Sequence, residues 1–172
     1  KDCVTHSTHM VTASYVSPEM QALDSSAKNK DLIFMNEIGV DPGIDHMSAM
    51  QVLDRIRDKG GEIILFESFT GGLVAPESDN NPWHYKISWN PRNIILAGKA
   101  GAVYKENGIE VHLPYEKLFD PERLVQVPGN DIYAYYPNRD SLSYVKLYHL
   151  ENAKTFVRTT LRHPDFSFGW KN

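Results

Sequence analysis

The sequence predicts an α/β arrangement that passes into α+β, with a mixed or antiparallel sheet carrying helices on one face. Strand-like and helix-like segments alternate from Met10 to Thr70, an Asn-Gly turn joins two apolar runs at Asn107-Gly108, and β-prone runs recur to the end of the chain. With 172 residues the chain is long enough for one domain or one and a fraction. Hydrophobic residues at 41% and charged residues at 23% exclude the composition of disordered and collagen-like chains. Its longest apolar runs, such as Ile63–Phe66 and Ile94–Ala97, are far too short to span a membrane, so a soluble chain is expected.

Met10–Val16 reads as a strand. Ser17-Pro18-Glu19 then offers a capping hydroxyl and a proline for a first helical turn, and Met20, Leu23 and Ala27 form a helical stripe. Asn29-Lys30-Asp31 breaks it before a second strand, Leu32–Glu37. Ile44–Lys59 reads as a longer helix with Ile44, Met47, Met50, Leu53 and Ile56 on one face, ended by Gly60-Gly61, and Glu62–Thr70 is the next strand. Ala102–Lys105 and Ile109–Leu113 flank the Asn-Gly turn as a hairpin. Ile132–Tyr136 and Thr155–Leu161 are further strands, separated by a helical piece near Leu142–Tyr148. Glu77–Pro82 is a polar loop, and there is no internal repeat.

Charge narrows the function. Against 18 basic residues stand 22 acidic ones, a formal net charge of -4, so nothing draws the chain to nucleic acid or anionic lipid as a whole. An anionic ligand must be held by local arginines. A single cysteine, Cys3, allows no internal disulfide and no multi-cysteine metal site, which points to a reducing compartment and a cytoplasmic protein. The chain opens on Lys1 without a signal-peptide layout, so the numbering is expected to start inside a longer protein.

Three segments carry candidate chemistry. Asp41-Pro42-Gly43-Ile44-Asp45-His46 lies between a strand and a helix; Asp41 as cap and Pro42 in the first turn explain it as helix initiation, while its position also suits a ligand crevice with free helix N–H groups. Asp41, Asp45 and His46 lack the spacing of a recognised metal motif, and no metal is predicted. Gly71-Gly72 closes a strand either as a tight turn or as a close approach for a flat ligand. Neither GxGxxG nor GxxxxGK[ST] occurs, so no dinucleotide phosphate cradle is expected within the chain. Trp83–Trp89 alternates with Trp83, Tyr85, Ile87 and Trp89 on one side, as a strand would, although a short helix also fits. On the last strand, Arg158, Thr160 and Arg162 share the face opposite Val157, Thr159 and Leu161, either as a solvated surface or as a carboxylate or phosphate receptor. Arg139, in Asn138-Arg139-Asp140-Ser141, adds a guanidinium at another strand end. These arginines in an acidic chain favour a small anion over a polyanion.

Taken in order, Val11-Thr12-Ala13-Ser14-Tyr15, the block from Asn36 to His46, Gly71-Gly72-Leu73 with Ala75-Pro76-Glu77, Asn81-Pro82 with Tyr85-Lys86 and Ser88-Trp89, Tyr136-Pro137-Asn138-Arg139-Asp140-Ser141, and Thr160-Leu161-Arg162 resemble the saccharopine reductases, the glutamate-forming saccharopine dehydrogenases. The resemblance runs through nearly the whole chain. It implies an NADP- or NAD-linked oxidoreductase of lysine metabolism in which glutamate and 2-aminoadipate 6-semialdehyde form an imine that is reduced to saccharopine, or the reverse. Saccharopine is a small amino acid with three carboxylates, in keeping with the arginines. The resemblance also implies a homodimer, and no nucleic-acid or membrane partner is expected.

By the same resemblance, Ser14, Tyr15, Asp41, Trp89, Arg139, Thr160 and Arg162 contact substrate, with Tyr15 and Asp41 in the catalytic proton or orientation role. Asp41, Pro42, Gly43, Ile44, Asp45 and His46, with Gly71 and Gly72, lie towards the cofactor, most of whose site falls outside the chain. Residues 1–60 correspond to the trailing part of a Rossmann-like dinucleotide-binding domain with its connecting helix, and 61–172 to a substrate-binding and dimerisation domain. Thr70 stands where the family often has cysteine, and its hydroxyl titrates far above a thiol. Two other readings remain: a non-catalytic anion-binding or dimerisation module, and a related imine reductase of the carboxynorspermidine or homospermidine synthase type. The arginines favour a multiply carboxylated substrate over a polyamine.

Overall fold

The computed structural model describes residues 1–87, 99, 101–129 and 131–171, and it divides into two compact units, Lys1–Lys59 and Gly60–Asn172. Ser88 and Trp89 of the alternating tryptophan segment lie outside the described residues. None of the described helices is long and apolar enough to cross a membrane.

The first unit contains, in order, α1 (Asp2–Thr5), β1 (Met10–Val11), α2 (Pro18–Gln21), α3 (Asp24–Lys28), β2 (Phe34–Met35) and α4 (Ile44–Asp58). β1 and β2 pair in parallel, Met10 opposite Phe34 and Val11 opposite Met35, as alternating strands and helices require. Both strands are shorter than the runs Met10–Val16 and Leu32–Glu37. The Thr12 hydroxyl accepts the Ser14 N–H at 3.2 Å, a local bond that competes with the ladder, and Glu37 adopts a positive φ of 58° that ends an extended strand. The predicted single helix through Met20, Leu23 and Ala27 is split into α2 and α3. Ser17 does cap it, its Oγ accepting the Met20 N–H at 3.2 Å. In α4 the apolar stripe is present, but only Leu53 is buried, while Ile44, Met47 and Ile56 stay exposed.

The second unit is built on a mixed six-stranded sheet of β3 (Leu65–Thr70), β4 (Ala102–Glu106), β5 (Ile109–Leu113), β6 (Leu124–Gln126), β7 (Ile132–Pro137) and β8 (Thr155–Arg162). The Asn107-Gly108 hairpin joins β4 and β5, with positive φ at both turn residues. β8 lies at the centre. β3 runs parallel along one of its edges from Leu65 opposite Thr155 to Thr70 opposite Thr160. The other edge is shared: Lys105 of β4 faces Phe156, and β7 pairs antiparallel with Thr159–Arg162. Ser141 fills the gap, its buried Oγ accepting the Arg158 N–H at 3.0 Å.

Packing follows from this centre. Phe156 is fully buried, stacked on Phe66 at 4.9 Å between ring centroids with Tyr148 at 5.7 Å. A second cluster gathers Ala102, Tyr104, Leu113, Leu118, Phe119, Val157 and Phe166, the last from α5 (Pro164–Lys171). The helical piece near Leu142–Tyr148 is a 3-10 turn over Leu142–Tyr144 followed by turns. No strand forms over the described part of Trp83–Trp89. The Asn81 side chain accepts the Trp83 N–H at 3.1 Å and donates to the Tyr85 carbonyl at 3.0 Å, and His84 takes a φ of 50°, so the backbone bonds locally and leaves the extended state.

Two substitutions test this account by chemical denaturation. Phe156→Ala is expected to lower stability by about 3–5 kcal/mol, the usual cost of an aromatic cavity in a closed core. Ser141→Ala is expected to cost about 1–3 kcal/mol, because the buried Arg158 N–H loses its acceptor; an unchanged midpoint for Ser141→Ala would show that the gap beside β8 closes without it.

Candidate functional site

In the first unit the chain between β2 and α4 folds into a compact turn. The Gly39 N–H donates to the Pro42 carbonyl, the Ile44 N–H to the Gly39 carbonyl, both at 2.9 Å, and the Asp45 N–H to the Val40 carbonyl at 3.0 Å. Gly43, with φ of 151°, must be glycine: a Cβ there would stand 2.1 Å from the Gly39 oxygen. Gly43 is the N-cap, so Asp41 does not cap the helix and Pro42 is not in its first turn; the Asp41-Pro42 peptide is cis and precedes it. Asp45 instead reaches back, its Oδ1 accepting the Gly43 N–H at 2.7 Å. The His46 and Met47 N–H groups donate to the Gly43 carbonyl.

The helix therefore begins with its N–H groups engaged and a carboxylate of its own beside them. The expected free N–H groups are absent at this end, and a dinucleotide's phosphates do not fit it. What the turn leaves for chemistry is side chains. Tyr15 donates its hydroxyl proton to Asp41 Oδ1 at 3.1 Å, joining two predicted residues from segments far apart in sequence. His46 Nε2 lies 3.3 Å from Glu37 Oε2, and Glu37 Oε1 accepts the Val16 N–H at 3.2 Å. Asp41, Asp45 and His46 do not gather as metal ligands. Ser14 is exposed, its Oγ accepting the Thr12 hydroxyl at 3.3 Å.

In the second unit the arginine face of β8 divides. Arg158 is buried, its guanidinium 4.4 Å from the Tyr144 ring centroid, so it belongs to the interior and forms no solvated face with Arg162. Arg162 lies in an aromatic box, 5.0 Å from the Tyr85 centroid, 5.4 Å from Phe166 and 5.8 Å from Tyr136. Its Nη1 donates to the Leu161 carbonyl at 2.8 Å, and its buried Nε has no partner among the described residues. Burial pushes the Tyr85 hydroxyl above its usual range, partly opposed by Arg162, and so keeps it a proton donor. Thr160 is half-buried beside Tyr136 and Thr70 in the ladder.

Arg139 is exposed with φ of 50°. It lies two residues beyond Pro137, which pairs with Thr159, whereas Arg162 pairs with Ala134. At about 3.3 Å per residue, that register sets the two arginine backbones up to about 17 Å apart. Gly71 answers to packing: a Cβ there would meet the Leu161 oxygen at 2.6 Å, so β3 leaves the sheet against the backbone of β8. Gly72 has open space around its Cα. Trp89 lies outside the described residues. Sequence reasoning missed the Glu37 and His46 pair and the box around Arg162. The signal for the box was the aromatic content of Tyr85 and Tyr136, on segments that spacing alone does not bring to Arg162.

Comparison with known proteins supplies the lineage. The family model of the saccharopine dehydrogenase C-terminal domain matches residues 39–172. The saccharopine dehydrogenase [NADP(+), L-glutamate-forming] of Schizosaccharomyces pombe is 40% identical over 166 residues, covering 96% of this chain and 37% of that protein. The alpha-aminoadipic semialdehyde synthase of Arabidopsis thaliana is 42% identical over 170 residues, 97% of this chain and 16% of the relative. A solved structure, the apo histidine-tagged saccharopine dehydrogenase (L-Glu forming) from Saccharomyces cerevisiae, superimposes with a TM-score of 0.82 at 38% identity, over 96% of this chain and 37% of that one. The chain thus spans little more than a third of the fungal relatives' length. It belongs to the saccharopine dehydrogenase C-terminal domain family.

Proposed function

We propose that these residues form the substrate side of an NADP-linked oxidoreductase that interconverts saccharopine with glutamate and 2-aminoadipate 6-semialdehyde. The observation that carries the proposal is Arg162: a guanidinium enclosed by Tyr85, Tyr136 and Phe166, with no carboxylate of the described residues paired to it. Its planar fork, set in an aromatic wall, favours an external carboxylate over water, since bidentate pairing gains from the lowered dielectric. Thr160 and Arg139 are assigned the other substrate contacts of this unit, spaced to suit an extended ligand with acid groups at separated points. Trp89 and Ser14 keep their assignment by resemblance.

In the first unit, the Tyr15 and Asp41 pair is the catalytic pair. By donating to Asp41, Tyr15 turns its oxygen lone pairs outward, where they accept a hydrogen bond from the secondary amine. The Asp41 carboxylate stabilises positive charge on the substrate nitrogen at the iminium stage. A bound nicotinamide would supply hydride chemistry, while these residues would orient the nitrogen and hold its proton. Because the helix N–H groups are occupied, Asp41, Asp45 and His46 would hold the cofactor through their side chains. The parallel β1 and β2 pair supports reading the first unit as the trailing part of a dinucleotide-binding domain.

The test is an NADPH oxidation assay on the full-length protein with glutamate and 2-aminoadipate 6-semialdehyde. Arg162→Gln is expected to raise the KM of the carboxylated substrate by roughly ten- to hundredfold, the equivalent of losing one charge-assisted hydrogen bond of about 1.5–3 kcal/mol, with a smaller change in kcat. Tyr15→Phe is expected to lower kcat with KM nearly unchanged. A normal KM in Arg162→Gln would sink the receptor assignment, and a parent protein inactive on these substrates would sink the reading as a whole.

A further inference from the structure

We propose that His84, His163 and Asp165 bind one divalent transition-metal cation of the zinc class. His84 comes from the turn organised by Asn81, His163 from the junction after β8, and Asp165 from the first turn of α5. Their ligand atoms all lie within 4.8 Å of one another. Asp165 Oδ2 is 3.5 Å from His84 Nε2 and 3.5 Å from His163 Nδ1. Those separations are too long for charge-assisted hydrogen bonds, which close to about 2.7–2.9 Å. These two edges match those between ligands of a tetrahedral ion, about 3.3–3.6 Å when nitrogen and oxygen each stand about 2.0–2.2 Å from it, and the two histidine nitrogens, which like the whole set lie within 4.8 Å, close to the same spacing when an ion is bound.

The surroundings of His84 point the same way. Its Nδ1 is hydrogen-bonded to the Asp79 carboxylate, leaving Nε2 turned towards Asp165. A carboxylate on the remote nitrogen is the arrangement that fixes the ring and tautomer of a ligating histidine. Two imidazoles and a carboxylate suit zinc, cobalt or nickel better than magnesium or calcium, which prefer oxygen alone. The two rings stand 3.8 Å apart between centroids with a 33° tilt, and both are over a third exposed, so solvent reaches the cluster. The ion displaces one weak contact, the Asp165 N–H to His163 Nδ1 at 3.4 Å. Three protein ligands leave a fourth position for water.

The site has a structural consequence. Tyr85 follows His84, Arg162 precedes His163, and those two residues form the 5.0 Å cation–π contact of the aromatic box. A cation joining His84 to His163 ties together the two segments that shape the box. The metal site stands on its own geometry and does not depend on the saccharopine reading.

Full-length protein freed of metal with a chelator is titrated with Zn²⁺ by calorimetry, and with Co²⁺ by visible spectroscopy. The parent is expected to bind one equivalent that the His84→Ala/His163→Ala double variant lacks, with a tetrahedral Co²⁺ spectrum and a raised Tm on loading. Asp79→Asn, which leaves all three ligands in place, is expected to weaken binding by about 10–100-fold. Circular dichroism matching the parent shows that the variants are folded. Equal Zn²⁺ binding by parent and double variant, or no binding by the parent, overturns the site and leaves a plain histidine and carboxylate cluster.

Discussion

The second unit depends on β8 being paired along both edges. Eight residues rich in β-branched and aromatic side chains, Thr155 to Arg162, take β3 along one side and both β4 and β7 along the other. A strand so enclosed offers its backbone groups to neighbours on both edges, so each neighbour must meet its register. The division of one edge between β4 and β7 creates a gap that another element must fill, and the buried Ser141 hydroxyl fills it on the Arg158 N–H. The placement of Asn138, Arg139 and Asp140 follows: the chain leaves β7 after Pro137, crosses the gap and bridges to Val103 of β4. Arg139 is thus exposed because the fork in the sheet turns the chain outward there.

The same enclosure explains why two arginines four residues apart on one strand have different fates. Arg158 sits level with the gap, where Tyr144 closes over it. Arg162 sits at the strand's end, where the covering layer is Tyr85, Tyr136 and Phe166 and no acidic side chain of the described residues pairs with it. Burying a guanidinium beside rings recovers part of its lost hydration through cation–π attraction, but a full recovery needs an anion. Position along the strand, more than residue type, separates the arginine closed over by Tyr144 from the one left in an aromatic box without an acid among the described residues.

That distinction marks the limit of what the sequence made legible. The hairpin at Asn107-Gly108, the cap at Ser17, the helix from Ile44 and the late strands were readable because each rests on a local rule: positive φ, a capping hydroxyl, a 3.6-residue stripe or a β-prone run. The alternation of β8 put Arg158 and Arg162 in one periodic set but did not show what covers each of them, because the covering rings come from segments distant in sequence. Asp41 looked like a cap since an acid before Pro-Gly and a helix usually is one; the tertiary bond from Tyr15 and the reach-back of Asp45 override that local preference. In Trp83–Trp89 the period of two was present, yet the Asn81 side chain captured the backbone bonds that a strand would have needed. His84, His163 and Asp165 carry no spacing signal, since the cluster exists only through packing of the loop against the start of α5.

The turn before α4 shows how a helix end has its N–H groups satisfied from within the chain. A helix N-terminus attracts anions through spare N–H groups and the positive end of its dipole. Here Gly39, Val40 and Gly43 carbonyls and the Asp45 carboxylate take those groups, so the field at this end is already offset by a fixed negative charge. Glu37 and Asp41 add two further carboxylates in the same unit, the first beside His46 and the second holding the Tyr15 hydroxyl. Such an acidic surround repels phosphate but stabilises a cationic nitrogen, which is the charge an iminium carries and a neutral imine or aldehyde lacks. On the proposed reading, that preference would grow as an imine is protonated, and it would favour the protonated imine over the aldehyde from which it forms.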